Sequence, residues 1–573
     1  MKQILRLLYI VLVLLVITNS LLMAQNIQSQ KPRLGAGTQE SPFQISSAEE
    51  LYWFANYINE DKRNITACAT LTSNIDLNPG FQFSYQGYSG PGIPIKWRPI
   101  GNYYEYWNLD LQEAYQNIYS GTFDGNGYII RGLYIENRNG SIENQGLFGA
   151  LGESGIVKNV QLENSYIYHY AQKQMGNQPI CIAGICGLNL GGSIIDCNTN
   201  INIEFDYGER SYDNRVGGIC GRNEKGEIRN CKAHNNIILN NCGAGTTVGG
   251  ICADNIGRIK DCENAGSISA KKGDTSFLEG ICGFNSYDDI DGTGIISNCY
   301  NTGSITCWGN DSEMGGICGV NVGFMIENCY NIGNLSFHGN KYAKIGGIIG
   351  SNSGKISNCY NIGTIFATGE NNGIGGICGD SSEGDILINC FNAGKLDVNE
   401  DQSNKTGGIC GRGEYAKLKN CIYLNGTADV GIGYRRNDSE PITTTAKNAR
   451  DFVEEMNDCD NGFTLNNGWE TSAHYGDGII KFPTLGGEVF IPILKISDIP
   501  SSIEIINKNT PQIHIRNGNI VVFTPQREQV YIFNIKGVIV SSQQQQGVYS
   551  YPKLPKGIYI VRVGKQSLKV SIN

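Results

Sequence analysis

A single phrase recurs along the middle of this chain: Gly-Gly-Ile-Cys-Gly, then about eleven residues later Asn-Cys, often followed by Tyr-Asn and a glycine. It reads GGICG at Gly217 to Gly221 with Asn230-Cys231, and again at Gly315 to Gly319 with Asn328 to Asn331. The clearest copies begin at Gly184, Gly218, Gly250, Gly280, Gly316, Gly347, Gly376 and Gly408, at steps of 34, 32, 30, 36, 31, 29 and 32 residues. A period near 32 with wandering length means one small unit copied many times, with insertions in its turns.

Each copy holds three short β-capable pieces. Between Gly315 and Leu335 these are Gly316-Ile317-Cys318, Ile326 to Tyr330, and a third beginning at Asn334-Leu335. None can bury enough surface alone. Stacking solves this, because each strand pairs with its counterpart in the next copy and the apolar side chains fill a continuous interior. About nine coils at roughly 4.8 Å each predict a rod section of roughly 40 Å. In a flat strand Ile219 and Cys220 face opposite sides, so either a glycine bend turns both inward or one sits outside.

Ahead of the repeats, Ser47-Ala48-Glu49-Glu50 has a capping-box pattern, and Leu51, Phe54, Ala55 and Ile58 follow at helical spacing. This predicts an amphipathic helix shielding the open end of the rod, whose unpaired strand edges invite aggregation. Next come Trp97-Arg98-Pro99-Ile100-Gly101, Phe123-Asp124-Gly125-Asn126-Gly127, and Gly146-Leu147-Phe148-Gly149. In this order, followed by the repeated G-G-x-x-G and N-C-Y-N-x-G, the chain resembles the GLUG-repeat proteins of gut and oral Bacteroidetes over roughly residues 35–430. Phe452 to Met456, Trp469 and Phe482-Pro483-Thr484-Leu485 resemble that family's closing segment. The departure is the cysteine: the family's usual G-G-L-V-G is G-G-I-C-G here. The resemblance implies surface-exposed, adhesion-like proteins with ill-defined ligands.

The two ends point to export. Lys2 and Arg6 precede an apolar run from Leu7 to Ile17, and Ala24 offers a cleavage site before Gln25. From Ile491 the repeat has stopped and short alternating strands follow, a β-sandwich pattern. Val530 to Gly537, then Leu554-Pro555-Lys556-Gly557-Ile558-Tyr559-Ile560-Val561-Arg562-Val563, then Lys569-Val570, resemble the C-terminal sorting domain of the type nine secretion system. That resemblance covers roughly residues 495–573. It implies passage through the secretion machinery, with Gly557, Ile558, Tyr559 and Lys569 in the sorting signal.

There are 20 cysteines. Seven repeats carry a pair: Cys186 and Cys197, Cys220 and Cys231, Cys252 and Cys262, Cys282 and Cys299, Cys318 and Cys329, Cys378 and Cys390, Cys410 and Cys421. Cys359 lacks a mate because Ile349 replaces it, and Cys68, Cys181, Cys242, Cys307 and Cys459 lie outside the pattern. Two main readings stand side by side: a buried ladder of small apolar side chains, or disulfides, as export favours. A bridge needs Cα atoms within about 7 Å. Packed walls sit about 10 Å apart, so bridges within a coil require a flattened one. Eleven-residue spacing does not suit a zinc site.

Catalytic motifs are sparse. His169, His234, His338, His474 and His514 form no H-E-x-x-H, and no G-x-S-x-G occurs. Parallel β-helices also carry polysaccharide lyases and glycosidases, which need paired carboxylates on one face. Glu204 and Asp206, Asp288, Asp289 and Asp291, and Asp311 with Glu313 are the acids that could serve there, or hold calcium; no other cofactor is indicated. Asp458-Cys459-Asp460-Asn461-Gly462 puts its glycine one place too early for an EF-hand. Tyr103, Tyr104, Tyr106 and Trp107 crowd one insertion together with Tyr88, and Tyr166, Tyr168 and Tyr170 alternate in another. Such aromatics either anchor protein or glycan partners or pack their loops against the solenoid wall. The net charge of −9 offers no basic face for nucleic acid.

The expected fold class is therefore all-β: a right-handed parallel β-solenoid with an N-terminal capping helix and a C-terminal Ig-like β-sandwich. The expected divisions are a signal peptide at 1–24, a cap and first coils at 25–140, the repeat solenoid at 141–430, a closing segment at 431–494 and a sorting domain at 495–573. No membrane span is expected once the signal is removed. The expected function is a secreted or outer-membrane surface protein, non-enzymatic and adhesin-like, meeting the type nine machinery and a host, matrix or glycan ligand. A carbohydrate-active β-helix enzyme is the alternative.

Overall fold

The computed structural model describes residues 29–103, 116–138, 144–171, 180–207, 214–241, 245–272, 276–287, 294–322, 325–381, 385–399, 401–414, 416–435, 444–458, 469, 471–485, 492–495, 512–516, 519–534, 538–551, 554, 557–563 and 566–572. The chain forms two compact units, Met1–Ile499 and Pro500–Asn573. The first is a parallel β-solenoid. Among the described residues no helix is long and apolar enough to cross a membrane.

One coil shows how the repeat becomes a wall. Arg215–Gly217 is a strand of the first wall, Cys220–Glu224 of the second, and Glu227–Arg229 of the third, which continues past a bend into Lys232–Ala233 and Asn236–Leu239. The first wall has eight strands and the second ten, all pairing parallel with the next coil. Eight complete coils therefore carry partial ones at their ends. Inside, Val216, Val248, Leu278, Met314, Ile345 and Ile374 form one column, in register from coil to coil. Ile194, Ile228, Ile259, Ile296, Ile326, Ile356 and Leu387 form another. All are buried, and each such side chain contributes about 1.5–3 kcal/mol.

The double glycine of the motif makes the corner between the first two walls. A Cβ on Gly316 would lie 2.2 Å from the carbonyl oxygen of Gly347 on the next coil, and one on Gly315 would lie 1.8 Å from the oxygen of Cys318. Backbone approaches backbone there, so only hydrogen fits. This bend settles the question left at Ile219 and Cys220: both point inward, and both are fully buried.

The asparagine of Asn-Cys has its own reason. Asn230, Asn298, Asn328, Asn358, Asn389 and Asn420 all adopt a left-handed backbone, with φ between 51° and 53°, which asparagine tolerates better than other L-residues. Within Asn-Cys-Tyr-Asn the pleat then alternates. Cys329 faces the core, Tyr330 faces outward, and Asn331 faces in again, to a buried column. Asn331 Nδ2 donates to the Gly333 carbonyl at 2.9 Å and to Asn361 Oδ1 at 2.8 Å, and its Oδ1 accepts from Asn301 Nδ2 at 2.8 Å. Asn223, Asn255, Asn285 and Asn321 form a matching column on the second wall, at 2.8 Å per step.

The outward tyrosines do not meet solvent. Tyr300, Tyr330 and Tyr360 stack on successive coils at 4.9 Å. The described residues between Ala449 and Leu485 lie over them, with Phe452, Trp469 and Phe482 in the same apolar cluster. The helix Ala449–Met456 opens this segment on the cap Asn448, whose side chain accepts from Arg450 N and Asp451 N.

Near the start, the helix Ala48–Glu60 forms where its pattern predicts, with Ser47 as N-cap. Its buried face holds Leu51, Phe54, Ala55 and Ile58, and the Phe54 ring meets Tyr119 at 6.1 Å and Phe123 at 6.0 Å. Asn59 ties it down: Nδ2 donates to the Pro99 carbonyl and Oδ1 accepts from Gly101 N, both at 2.9 Å. The Trp-x-Pro-Ile-Gly run thus anchors the helix.

The second unit shows, in its described residues, one five-stranded antiparallel sheet: Gln512–Arg516, Asn519–Asn534, Ile539–Ser550, Gly557–Val563 and Gln566–Ile572. Ile520, Val522, Val530, Ile532, Tyr559, Val561 and Val563 bury one face. A sandwich needs a second sheet; the sequence's other strand candidate, 503–506, lies outside the described residues.

Candidate functional site

The cysteines form two vertical columns. Cys186, Cys220, Cys252, Cys282 and Cys318 pair in register on the second wall; Ile349 takes the next rung, then Cys378 and Cys410. Cys197, Cys231, Cys262, Cys299, Cys329, Cys359, Cys390 and Cys421 line the bend after the third wall. The two cysteines of one copy thus stand in different columns, and each has its neighbour on the adjacent coil. All 18 described cysteines are free and buried; Cys242 and Cys459 lie outside the described residues. The thiols are not idle. In the first column each donates to the carbonyl two residues ahead, as from Cys220 to Arg222 and from Cys318 to Val320, both at 3.2 Å. In the second each donates two residues back, as from Cys262 to Lys260 and from Cys329 to Glu327, both at 3.2 Å. A thiol therefore fills the core and also satisfies a turn carbonyl that Ala or Ile would leave to others. Burial pushes up the thiols of Cys220, Cys282 and Cys378 in the first column and of Cys197, Cys262, Cys299, Cys329, Cys359 and Cys390 in the second, so these are not poised nucleophiles.

Glu204 and Asp206 share one face of the strand Asn198–Tyr207, either side of the buried Phe205, but their partners differ. Glu204 lies under the hairpin of Gln82–Ser84 and Gly87–Ser89, accepting from Gln86 N. Asp206 accepts from Asn241 Nδ2 at 2.8 Å. Glu313 pairs with Lys344 at 3.1 Å, and Asp311 sits in a left-handed turn. Asp288, Asp289 and Asp291 lie outside the described residues. Among the described residues no group of three or more His, Cys, Asp or Glu could hold a metal ion. His169 is fully enclosed, stacked on Phe205 at 5.9 Å and bonded through Nδ1 to Gln145 at 2.7 Å; burial pushes it down to about 4.

Glu279 was not singled out by the sequence reading. It stands where six other copies carry the first glycine of the motif and one carries Ala183, in Leu278-Glu279-Gly280-Ile281-Cys282, and that mismatch is the signal that could have found it. It is fully buried and neither oxygen has a hydrogen-bond partner. Burial pushes its carboxyl well above the usual range, with Cys318, Glu313 and Cys307 adding to the shift.

The aromatics also divide. Tyr103 is half-buried, in a short strand paired with Gln116; Tyr104, Tyr106 and Trp107 lie outside the described residues. Tyr88, on the hairpin itself and 37% exposed, meets the rings of Phe81, Phe83 and Tyr134, and Tyr166 stacks on Tyr134 at 6.3 Å. Phe81, Phe83, Tyr134 and Tyr166 pack. Another set is more exposed. On the turns leading from the third wall to the next coil's first wall, Trp308 stacks on His338 with centroids 5.2 Å apart and 15° between planes, and His338 meets Phe366 at 5.2 Å. Trp308 is 46% exposed and Tyr342, in the same turn as His338, 49%. Tyr342 holds a left-handed backbone with φ of 60°, an outlier for a bulky residue, and Lys341 Nζ stands 5.0 Å over its ring. No shared residue type marks these turn positions, so periodicity could not reveal them.

In the second unit, Tyr559 is buried and Ile558 is 40% exposed on the opposite face of Gly557–Val563. Lys569 lies in the last strand.

Comparison with known proteins places the GLUG motif on residues 212–238, the copy built around Gly217 and Cys231. A protein named as a Gly-rich membrane protein, from Evansella cellulosilytica, is 31% identical over 170 residues, 30% of this chain and 15% of its own length. Halomucin from Haloquadratum walsbyi is 33% identical over 133 residues, 23% of this chain and 1% of its own. The chain thus spans a small fraction of either relative. A crystal structure from Bacteroides ovatus described as an immunoglobulin A1 protease aligns with 79% of this chain and 95% of its own, at 16% identity and a TM-score of 0.29; likeness at that level assigns nothing.

Proposed function

We propose that this repeat protein is secreted or displayed on the outer-membrane surface, exported by type nine secretion, and acts without catalysis as an adhesin-like binding rod. One observation carries the reading: the solenoid interior is filled by columns of Ile, Cys and Asn, so the chemistry able to meet a partner is confined to the outer turns. The acids that a β-helix glycosidase would use are engaged elsewhere: Glu204 by a backbone N–H, Asp206 by an amide and Glu313 by a lysine. The apolar segment Leu7 to Ile17 and the run around Gly557, Ile558, Tyr559 and Lys569 support export. The surface-type names of the two partial relatives agree with display. In this reading the helix Ala48–Glu60 shields the first coils, and the second unit completes an Ig-like sorting domain.

The test is protease and antibody labelling of intact cells that express the full chain. Surface labelling that disappears when residues 495–573 are deleted is expected. Labelling that appears only after lysis, or display that survives the deletion, contradicts the proposal.

A further inference from the structure

We infer that the strip of exposed Trp308, His338 and Tyr342 with the half-buried Phe366 is a binding site for a neutral oligosaccharide. The inference rests on the surface-binding reading and names the ligand class for one edge of the rod.

The strip is built, not incidental. Each ring stands on a rung of the ladder: Trp308 N donates to the Ala270 carbonyl at 3.0 Å, His338 N to Cys307 at 2.7 Å, and Tyr342 N to Glu370 at 3.1 Å. Asn340 N donates to Asn310 Oδ1 at 2.8 Å, locking neighbouring turns together. The backbone beneath the rings is therefore fixed, and Trp308, His338 and Phe366 stack on one another, which lowers the ordering cost of binding. The strain at Tyr342 has the same sense. The equivalent turn positions on the flanking coils are Asp311 and Asn371, residues that take a left-handed backbone readily, whereas a tyrosine there needs another reason to be present.

The rim decides the ligand. Around the rings stand Asn310, Asp311, Asn340, Lys341 and Glu370, four of them exposed, with Gly309 and Gly339 between. Among the described turn residues 308–312, 338–342 and 368–372 no side chain is aliphatic, so the strip lacks the apolar centre by which protein interfaces exclude water. Half-exposed rings beside amides and carboxylates instead match a sugar, which offers a C–H face to an aromatic and paired hydroxyls to planar oxygen and nitrogen donors and acceptors. Charges of both signs sit at the rim, which favours a neutral chain over a uronate or a sulfated one. Trp308, His338 and Phe366 step one ring per coil, which suits an extended chain of pyranoses lying along the rod, with Tyr342 a second ring on the middle coil.

The experiment is calorimetric titration of the full chain with cellohexaose, xylohexaose and chitohexaose, beside a panel of immobilised collagen, fibronectin and mucin. Binding of at least one hexaose is expected, weakened about ten-fold or more in Trp308→Ala and similarly in Tyr342→Ala, with melting temperatures unchanged. Trp308→Phe, which keeps a ring, is expected to retain most of the affinity. Hexaose binding indifferent to both alanine variants overturns the inference. So does binding to a matrix protein alone, which leaves the surface-binding reading standing. Silence across both panels overturns the two together.

Discussion

The rings of Tyr330 and Tyr360 stack on successive coils with centroids 4.9 Å apart and 1° between their planes, and Tyr360 Oη donates to the Pro483 carbonyl at 2.8 Å. The tyrosine of Asn-Cys-Tyr-Asn therefore glues the segment from Ala449 to Leu485 onto the outer wall. Tyr360→Phe removes that hydrogen bond and leaves a buried acceptor, at a cost of about 1–2 kcal/mol. Tyr360→Ala also opens a cavity against Trp469 and Phe482, at about 3–5 kcal/mol. Limited proteolysis checks this: cleavage within 449–485 is expected to speed up strongly in Tyr360→Ala and slightly in Tyr360→Phe, with the repeats still protected.

The corner glycines predict a steric result. Gly316→Ala places a methyl 2.2 Å from the Gly347 oxygen, so backbone must move, costing about 1–3 kcal/mol or more. Gly92→Ala, with nothing within 4 Å, is expected to leave the thermal midpoint within error. Equal effects at the two sites would remove the account of the double glycine.

The buried asparagine column predicts a polarity effect. Asn331→Asp swaps a donor for an acceptor facing Gly333 O and Asn361 Oδ1, so the carboxylate is buried against two oxygens. Loss of about 3 kcal/mol or more is expected at neutral pH, recovering in part as acid protonates the group. Chemical denaturation at pH 7 and pH 4 measures both.

Glu279 predicts a pH dependence. Its folded carboxyl titrates above the ordinary glutamate value, so the unfolded chain loses this proton first. The stability cost is absent below about pH 4.3, the unfolded value, and grows as pH rises towards the folded value. Glu279→Gln and Glu279→Gly remove the titration, so both are expected to flatten the fall in stability between pH 4.5 and pH 7. A slope identical to that of the unaltered chain would show that Glu279 does not titrate in this range.

Much of the rod was legible because the signals repeat. Spacing gave the coil, and the capping box gave the helix Ala48–Glu60 to within its first residue. Where the bend at Gly218 puts Ile219 and Cys220 was not legible, since period-two reasoning assumes a flat strand. The cover over Tyr360 was hidden for another reason: Pro483 is 123 residues away, and no local pattern encodes such a contact. The aromatic strip escaped because Trp308, His338 and Tyr342 sit at turn positions where other coils carry Lys271 and Thr368, or Asp311 and Asn371. Of the aromatics that sequence favoured, Tyr103 is half-buried and Tyr104, Tyr106 and Trp107 lie outside the described residues, while Tyr166 packs beneath a hairpin and Tyr88, on that hairpin, is 37% exposed. Composition cannot separate a ring that packs from one that faces water.

The central claim is that Gly-Gly-Ile-Cys-Gly and Asn-Cys build a wall and carry no thiol chemistry. The direct measurement is a thiol count on exported protein, unfolded in denaturant without reductant and labelled to completion. The account predicts 20 reactive thiols per chain, the full cysteine complement. Thiols missing in pairs, and recovered by reductant, would mean that disulfides staple the coils and would contradict it.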